Sequence, residues 1–254
     1  MLRFDFAQLD STSRRASSLA KLNPGRPLVV SARAQTAGRG RTGRTWCSPA
    51  GGAWFTLAWP TELPAEAAGA APLVAGLAVR DVVAELVGGG LAERLKLKWP
   101  NDLLLCERKL AGILCEQTLG PGRRTLLVGI GINANLAPAE LGTDLRRPAT
   151  SLQAALGRRV DVRELIEAAG EAVAARLSAL ERGGFGERDV SVLRRHLAWL
   201  GERVLVRFGE RQVEGVLGGL DPRGRVVLET DNGPVAFDAG EVEGLRACGR
   251  RECA

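Results

Sequence analysis

Residue types that commonly build catalytic and metal sites are scarce in this chain of 254 residues. His196 is the only histidine, and there is no tyrosine. A serine–histidine–aspartate triad or a histidine-rich zinc site needs well-placed imidazoles, so neither is favoured. The five cysteines are odd in number and form no C-x-x-C pair. That usage indicates free thiols in a reducing compartment rather than a disulfide framework.

The sequence also lacks a hydrophobic run long enough to cross a membrane. The longest uncharged apolar stretch, residues 67–79, has 13 residues and contains Pro72. A spanning helix needs roughly 20 apolar residues. The first residues carry Asp5 and no apolar core of a signal peptide. We therefore expect a cytoplasmic protein that makes no use of a membrane.

Lysine is rare although the chain is basic. There are 35 Lys and Arg residues against 29 Asp and Glu, a net charge of +6, but only four residues are lysine. Arginine enrichment can follow genome composition, so the net charge is weak evidence for nucleic-acid binding. Three of the four lysines fall within residues 96–109, which directs attention to that segment.

Hydrophobic periodicity and turn residues predict an α+β catalytic domain followed by a small β-rich domain. The links between successive strand-like segments are short, which favours a mixed, largely antiparallel sheet. The predicted helices cover residues 9–22, 65–87, 161–182 and 187–199, and the predicted strands cover 27–34, 53–59, 94–99, 103–106, 110–118 and 125–133.

The residue pattern of the sequence changes near residue 200. Residues 203–246 hold short Val- and Leu-rich runs separated by turn signals such as Asp221–Gly224. This pattern is typical of a meander of four or five strands and predicts a small β-barrel. We place the domain boundary there, with domains over residues 1–200 and 201–254.

The first segment whose residues could bind a ligand is the Gly- and Arg-rich stretch from Gln35 to Trp46. Its glycines allow close approach of backbone to a ligand, and its arginines offer planar donors for carboxylate or phosphate. No Gly-Lys-Ser/Thr follows, so it is not a Walker A loop. An RNA-binding Arg/Gly tract is the alternative, but the stretch occurs once, between two predicted core strands. An ordered anion-binding loop is therefore favoured, with Gly38, Gly40 and Gly43 interleaved with Arg39, Arg41 and Arg44.

Three further segments carry polar residues at predicted strand ends. In Lys98–Asp102, either Asn101 and Asp102 simply close a turn, or Asp102 holds Mg²⁺ and Lys98 meets a phosphate. Lys109 heads an apolar strand in which Gly112 indicates close approach of backbone or ligand. The segment 129–133, GIGIN, places Asn133 at the end of a strand.

These segments together resemble the biotin–protein ligases, specifically the biotin–[acetyl-CoA-carboxylase] ligases of bacteria. GRGRTGRTW, KWPND, RKLAGILCE and GIGIN occur in the family's order within residues 38–133, and Asp10–Ser13 fits its biotin-site motif. The resemblance runs from about residue 9 to the end of the chain. It implies a class II synthetase-like catalytic domain and an SH3-like C-terminal barrel.

The resemblance implies two half-reactions. Biotin and MgATP give biotinyl-5′-AMP and pyrophosphate, and a lysine of the biotin carboxyl carrier protein then takes the biotinyl group. The first step brings a carboxylate against an α-phosphate, so it depends on positioning and charge screening and requires no histidine base, which suits a chain with one histidine. The implied small molecules are biotin, ATP and Mg²⁺. The resemblance leaves the choice between monomer and homodimer open.

The implied site residues follow the motifs position by position. Lys109 and Arg41 are the implied catalytic residues, and Asp102 is the implied metal contact. The implied biotin contacts are Ser11, Thr12, Ser13, Gln35, Gly38, Arg39, Gly40, Arg41 and Lys109. The implied ATP contacts are Arg44, Trp46, Lys98, Asn101, Asp102 and Asn133.

Two positions depart from the family pattern, and other functions remain to be tested. Ser13 stands where Asn is usual, and Thr42 replaces a common arginine. The biotin-site motif begins by residue 10, so we expect no DNA-binding domain and no operator binding. Lipoate ligase or octanoyltransferase activity is an alternative on the same fold, and RNA binding is an alternative of another class. The lack of interleaved aromatic residues weakens the RNA-binding alternative.

Overall fold

A seven-stranded sheet forms the centre of the computed structural model, which describes residues 1–63, 69–120, 123–141, 148–240 and 242–248. The strand order is β1-β2-β3-β7-β6-β5-β4, and every neighbouring pair is antiparallel except β1 and β2. The predicted mixed, largely antiparallel sheet is confirmed. Its strands are β1 (Leu2–Leu9), β2 (Leu28–Gln35), β3 (Ala53–Thr61), β4 (Leu95–Lys98), β5 (Asp102–Leu105), β6 (Arg108–Gly120) and β7 (Arg123–Ile132).

The first strand was not predicted from the sequence. The helix expected over residues 9–22 begins only at Thr12, because Leu2–Leu9 pairs in parallel with β2. The first helix, α1 (Thr12–Leu22), is the crossover between these two parallel strands. It follows Ser11, whose extended backbone precedes the first helical turn. This arrangement places Ser11, Thr12 and Ser13 at the end of β1 beside the sheet.

Of the other predicted helices, the one over residues 161–182 is confirmed, the one over 65–87 begins at Ala71, and the one over 187–199 ends at His196. Two short helices, over residues 89–93 and 152–156, were not predicted from the sequence. Residues 65–68 of the predicted long helix lie outside the described residues, and Gly88 ends that helix as expected. Asp161 caps the longest helix through its carboxylate, which accepts hydrogen bonds from two backbone amides. The helices are α2 (Ala71–Val87), α3 (Gly89–Glu93), α4 (Leu152–Leu156), α5 (Val162–Gly183) and α6 (Glu187–His196).

The two faces of the sheet have different partners. On one face, α2 and α5 pack against each other and cover the main core, which includes Phe55 and Leu57 of β3. On the other face, α1 covers a smaller cluster that includes Val30 and Ala58. The rest of this second face carries Thr56, Gly129 and Gly131 together with the buried indole of Trp54, which packs against Trp46. It is the face on which the candidate site lies.

The C-terminal residues form a second sheet of five antiparallel strands in the order β11-β10-β9-β8-β12. The predicted meander is confirmed, but no ladder joins β11 to β12 among the described residues, so the pairing is an open sheet rather than a closed barrel. Its strands are β8 (Arg203–Phe208), β9 (Arg211–Leu220), β10 (Val226–Thr230), β11 (Gly233–Phe237) and β12 (Gly244–Ala247).

The small sheet docks onto the large one through the turn before β10. The buried indole of Trp99 donates from Nε1 to the carbonyl of Gly224 at 3.0 Å. The described helices include none that is long and apolar enough to cross a membrane.

Candidate active site

A pair of glycines forms the floor of the candidate site. Gly112 of β6 and Gly131 of β7 are cross-strand partners, and the indole of Trp46 lies on them. A Cβ at Gly112 would lie 2.7 Å from the Trp46 ring, and one at Gly131 would lie 2.6 Å from its Nε1. Only glycine leaves room for this approach. The sequence indicated close approach of backbone or ligand at Gly112, and the structure places a side chain there instead. The Trp46 Nε1 is buried and has no hydrogen-bond partner within the described ranges.

A charged cluster lies beside this floor. Lys98 and Asp102 face each other across the β4–β5 hairpin, and Lys109 comes from the adjacent strand. The Asp102 carboxylate is 2.6 Å from Lys109 Nζ through Oδ1 and 3.1 Å from Lys98 Nζ through Oδ2. The Lys109 ammonium also lies 4.9 Å from the centroid of a Trp46 ring, a cation–π contact.

The cluster keeps Asp102 ionised although it is buried. Burial alone would raise the pKa of this carboxyl, but the charges and hydrogen bonds of Lys109 and Lys98 outweigh burial and lower the pKa to about 2. Two lysines around one carboxylate leave a local excess of positive charge. The site is therefore electrostatically suited to receive an anion.

A buried cluster of hydroxyls and amides lies where β1 meets α1. The Gln35 Oε1 accepts hydrogen bonds from the Thr12 backbone amide at 2.8 Å and the Thr12 hydroxyl at 3.1 Å. Thr56 hydrogen-bonds with the hydroxyls of Thr12 at 2.9 Å and Ser13 at 3.2 Å. Gln35 Nε2 donates to Ser48 at 2.9 Å. Sequence reasoning missed Thr56 and Ser48; a threonine within the apolar run AWFTLAW was the available signal for the first.

The Gly- and Arg-rich stretch is a short β-hairpin, which we call the arginine hairpin and define as Gly38–Trp46. Trp46 donates its backbone N–H to Gly38 at 2.9 Å, and Gly40 donates to Arg44 at 2.7 Å. Thr42 and Gly43 at its tip have positive φ angles of 53° and 73°. Positive φ at both central residues is what a two-residue type I′ turn requires. An ordered structure in this stretch agrees with the expectation of an anion-binding loop.

The three arginines of the hairpin contact different parts of the molecule. Arg39 forms an ion pair with Glu116 of β6. Arg41 donates to the carbonyls of Ala239 and of Val242, the latter at 2.9 Å, both in the segment between β11 and β12. Arg44 donates to the carbonyl of the next residue in that segment, Glu243, at 2.8 Å. The hairpin therefore joins the large sheet to the small one.

Arg41 is partly desolvated by these contacts. Burial lowers the pKa of its guanidinium, Arg44 acts in the same direction, and the charge of Asp102 opposes both. Its Nη1 also lies 3.4 Å from the Asn101 Oδ1. Arg41 thus belongs to the same electrostatic cluster as Asp102.

Both asparagines of the motifs hold backbone in place. Asn101 donates from Nδ2 to the carbonyl of Ile113 at 2.8 Å. Asn133 donates from Nδ2 to the carbonyls of Thr150 at 3.0 Å and Lys109 at 3.4 Å. These bonds fix the course of β6 on both sides of Gly112 and so fix the position of Lys109.

The donor set near Asp102 was tested against Mg²⁺. The described parts of the chain contain no group of three or more His, Cys, Asp or Glu residues that could hold a metal by themselves. Mg²⁺ is commonly held by one or two carboxylates together with substrate phosphates and water. A single buried carboxylate fits a metal that arrives with a nucleotide.

Comparison with known proteins identifies the family. Residues 6–135 match the Biotin/lipoate A/B protein ligase family, and residues 199–243 match the Biotin protein ligase C terminal domain. The chain belongs to this ligase family. Every motif residue predicted from the resemblance lies within the matched catalytic region, and the C-terminal match covers β8 to β11 of the small sheet.

Individual ligases are similar over nearly the whole chain. The biotin–[acetyl-CoA-carboxylase] ligase of Paracoccus denitrificans is 38% identical over 93% of this chain and 98% of its own length. The bifunctional ligase/repressor BirA of Bacillus subtilis is 32% identical over 92% of this chain and 71% of its own. The structure of the Aquifex aeolicus biotin protein ligase in complex with biotin and ATP superposes with a TM-score of 0.78 at 29% identity, covering 97% and 99% of the two chains.

Proposed function

We propose that this chain is an ATP-dependent ligase that activates biotin as biotinyl-5′-AMP and transfers the biotinyl group to a lysine of the biotin carboxyl carrier protein of acetyl-CoA carboxylase. The observation that carries the proposal is the position of Lys109, which lies between the Trp46 ring and the Asp102 carboxylate. An ammonium there can neutralise a substrate carboxylate and a phosphate at the same time. The likeness to biotin ligases over almost the full chain supports the choice of substrate.

The first half-reaction joins two anions. A biotin carboxylate oxygen attacks the α-phosphorus of ATP, the bond to the β-phosphate oxygen breaks, and pyrophosphate leaves. Lys109 and Arg41 reduce the repulsion between the two anions and stabilise the charge that develops on the phosphate oxygens. Because the nucleophile is already an anion, the step needs no general base.

The second half-reaction is an acyl transfer. The amine of the carrier lysine attacks the acyl carbon of the mixed anhydride, an amide forms, and AMP leaves with the bonding electron pair. The attacking amine loses one proton, which the phosphate of the departing AMP or bulk water accepts. The role of this chain is to hold the adenylate until the carrier protein arrives and to exclude water from it.

The biotin end of the site is assigned to the buried polar cluster. Ser11, Thr12, Ser13 and Gln35 present hydroxyl and amide groups that match a cyclic urea. The backbone of Gly38 and Gly40 and the side chains of Arg39 and Arg41 would cover the ligand from the opposite side.

The nucleotide end is assigned to the charged cluster and its neighbours. Asp102 would hold the Mg²⁺ of MgATP in exchange for one of its lysine contacts, and Lys98 would meet phosphate. The other nucleotide contacts are assigned to Arg44, Trp46, Asn101 and Asn133. We assign catalysis to residues 1–200 and propose that residues 201–254 form a separate domain that supports the arginine hairpin through Ala239, Val242 and Glu243.

Isotope exchange tests the proposal directly. The purified protein is incubated with ATP, Mg²⁺ and labelled pyrophosphate, with biotin, lipoate, octanoate or no acid. We expect label to enter ATP only with biotin. Exchange with lipoate or octanoate instead would keep the reaction class and overturn the substrate. No exchange with any acid from folded protein would overturn the proposal.

A further inference from the structure

Glu116 lies on the face of the sheet that carries the site. Side chains alternate along a strand, so Glu116 shares a face with Gly112, four residues earlier on β6. Gly112 lies under the Trp46 ring. The side chain of Glu116 therefore points to the side of the sheet that the arginine hairpin covers, and it pairs with Arg39 at the start of that hairpin.

Among the residues that the structure describes, this is the only ion pair formed by an arginine of the hairpin. Arg41 and Arg44 are held by backbone carbonyls and by the neutral side chains of Asn101 and Thr42, whereas Arg39 is held by a carboxylate. A guanidinium has five N–H donors, and the contact with Glu116 is made at Nη2. Glu116 can therefore orient Arg39 and leave its other donors for a ligand.

The two anchors of the hairpin lie close together on one strand. Arg41 reaches β6 through Asn101, which is bonded to Ile113. Arg39 reaches the same strand at Glu116. The arm from Gly38 to Arg41 is thus tied to β6 at two points three residues apart, and the glycine floor lies at the end of that span.

We propose that Glu116 is a positioning residue that holds Arg39, and with it the first arm of the arginine hairpin, over the candidate site. By keeping this arm closed it slows the loss of bound adenylate. The effect on adenylate loss rests on the proposed function, whereas the positioning of Arg39 by Glu116 concerns the hairpin alone.

The test is Glu116→Gln, which keeps the size of the side chain and removes its charge. We expect the backbone amides of Gly40 and Trp46 to exchange hydrogen faster in the variant without ligand. The expected increase is about two- to fivefold, because the pair is partly exposed to solvent. We also expect pre-formed biotinyl-5′-AMP to dissociate faster by a similar factor, while the maximal rate of pyrophosphate exchange changes less than about twofold.

A matched control is Glu214→Gln, which removes the carboxylate from the exposed Arg203–Glu214 pair, 3.0 Å long, in the small sheet. That variant should leave both rates as in the wild type. Glu116→Gln is also made in an Arg39→Gln background. There it should not increase the rate of amide hydrogen exchange in the hairpin any further. An equal acceleration there would show that Glu116 does not act through Arg39 and would overturn the proposal.

The outcomes separate this proposal from the proposed function. Wild-type exchange at Gly40 and Trp46 in Glu116→Gln overturns the positioning role, whatever the substrate. Faster hairpin exchange with unchanged adenylate dissociation overturns the effect on retention. If the wild-type protein forms no adenylate, the proposed function fails, and the hydrogen-exchange result still decides the role of Glu116.

Discussion

The carboxylate of Asp102 lies 2.6 Å from Lys109 Nζ, and its second oxygen contacts Lys98. The cluster brings together residues from two of the motifs, KWPND and RKLAGILCE, across neighbouring strands. The carboxylate holds the ammonium groups of two lysines close together in the site. An arriving phosphate or carboxylate therefore meets cations that are already oriented.

Asp102→Asn should destabilise the fold at neutral pH and remove a pH-dependent part of its stability. The pKa of Asp102 is lowered to about 2 by the lysines, whereas an unfolded aspartate titrates near 3.9. A lowered pKa stabilises the fold above pH of about 4, and this contribution of about 2 kcal/mol is lost as the pH falls towards 2. Unfolding by denaturant at pH 7, 5 and 3 measures the difference in the free energy of unfolding between the wild type and the variant. Equal destabilisation by the substitution at pH 7 and pH 3 would contradict the account.

Lys109→Gln should abolish most of the adenylation activity. Removal of one well-placed charge-stabilising donor commonly costs about 100- to 1,000-fold in rate. We expect a loss of this size in biotin-dependent pyrophosphate exchange. Lys21→Gln, at the exposed end of α1, is the control and should retain full activity. Activity near that of the wild type in Lys109→Gln would show that this residue has no part in catalysis.

Gly112→Ala should disturb the floor of the site. The added methyl would lie 2.7 Å from the Trp46 ring, so the indole must move. We expect the KM for biotin or ATP to rise at least about tenfold, since a displacement of roughly 1 Å in a site can cost as much as about 100-fold in activity. The matched control is Gly170→Ala in α5, where the nearest atom is at 3.7 Å. That change should leave KM unaltered and increase stability by up to about 1 kcal/mol. Unchanged KM in Gly112→Ala would contradict the contact with Trp46.

Trp99→Phe should weaken the docking of the small sheet. It leaves the Gly224 carbonyl without the donor at 3.0 Å, at a cost of about 1–3 kcal/mol. The comparison is Trp59→Phe, because the Trp59 Nε1 has no hydrogen-bond partner within the described ranges. We expect that variant to lose less stability than Trp99→Phe. Unfolding by urea measures both, and equal losses would show that the bond to Gly224 contributes nothing.

The sequence predicted most of the sheet because its central strands are bounded by strong turn signals. Leu2–Leu9 was missed although Arg3 and Asp5 alternate with Phe4 and Phe6, which is the pattern of a half-buried strand. Its parallel pairing depends on where α1 returns the chain, which the local sequence does not show. The hairpin tip was not predicted either, since a threonine at positive φ contradicts the usual preference for glycine or asparagine.

Local motifs predicted which residues form the site but not how they contact one another. Glu116 stands within a motif used for the resemblance, yet its partner Arg39 is 77 positions away. The carbonyls that hold Arg41 are about 200 positions away and have no residue-type signature. The strand predicted over residues 103–106 ends at Leu105, and Cys106 is exposed because it lies with positive φ in the turn between β5 and β6. Cys115 is intermediate in exposure, and burial raises the pKa of its thiol.

The most direct test of the central claim is to measure transfer to the carrier protein by intact mass. The purified chain is mixed with biotin, MgATP and the apo biotin carboxyl carrier protein, beside a carrier whose target lysine is replaced by arginine. We expect the wild-type carrier to gain the mass of one biotinyl group and the arginine variant to gain none. Omission of ATP should abolish the gain. A carrier that stays unmodified while ATP is converted to AMP and pyrophosphate, or that is modified only with lipoate or octanoate, would contradict the central claim.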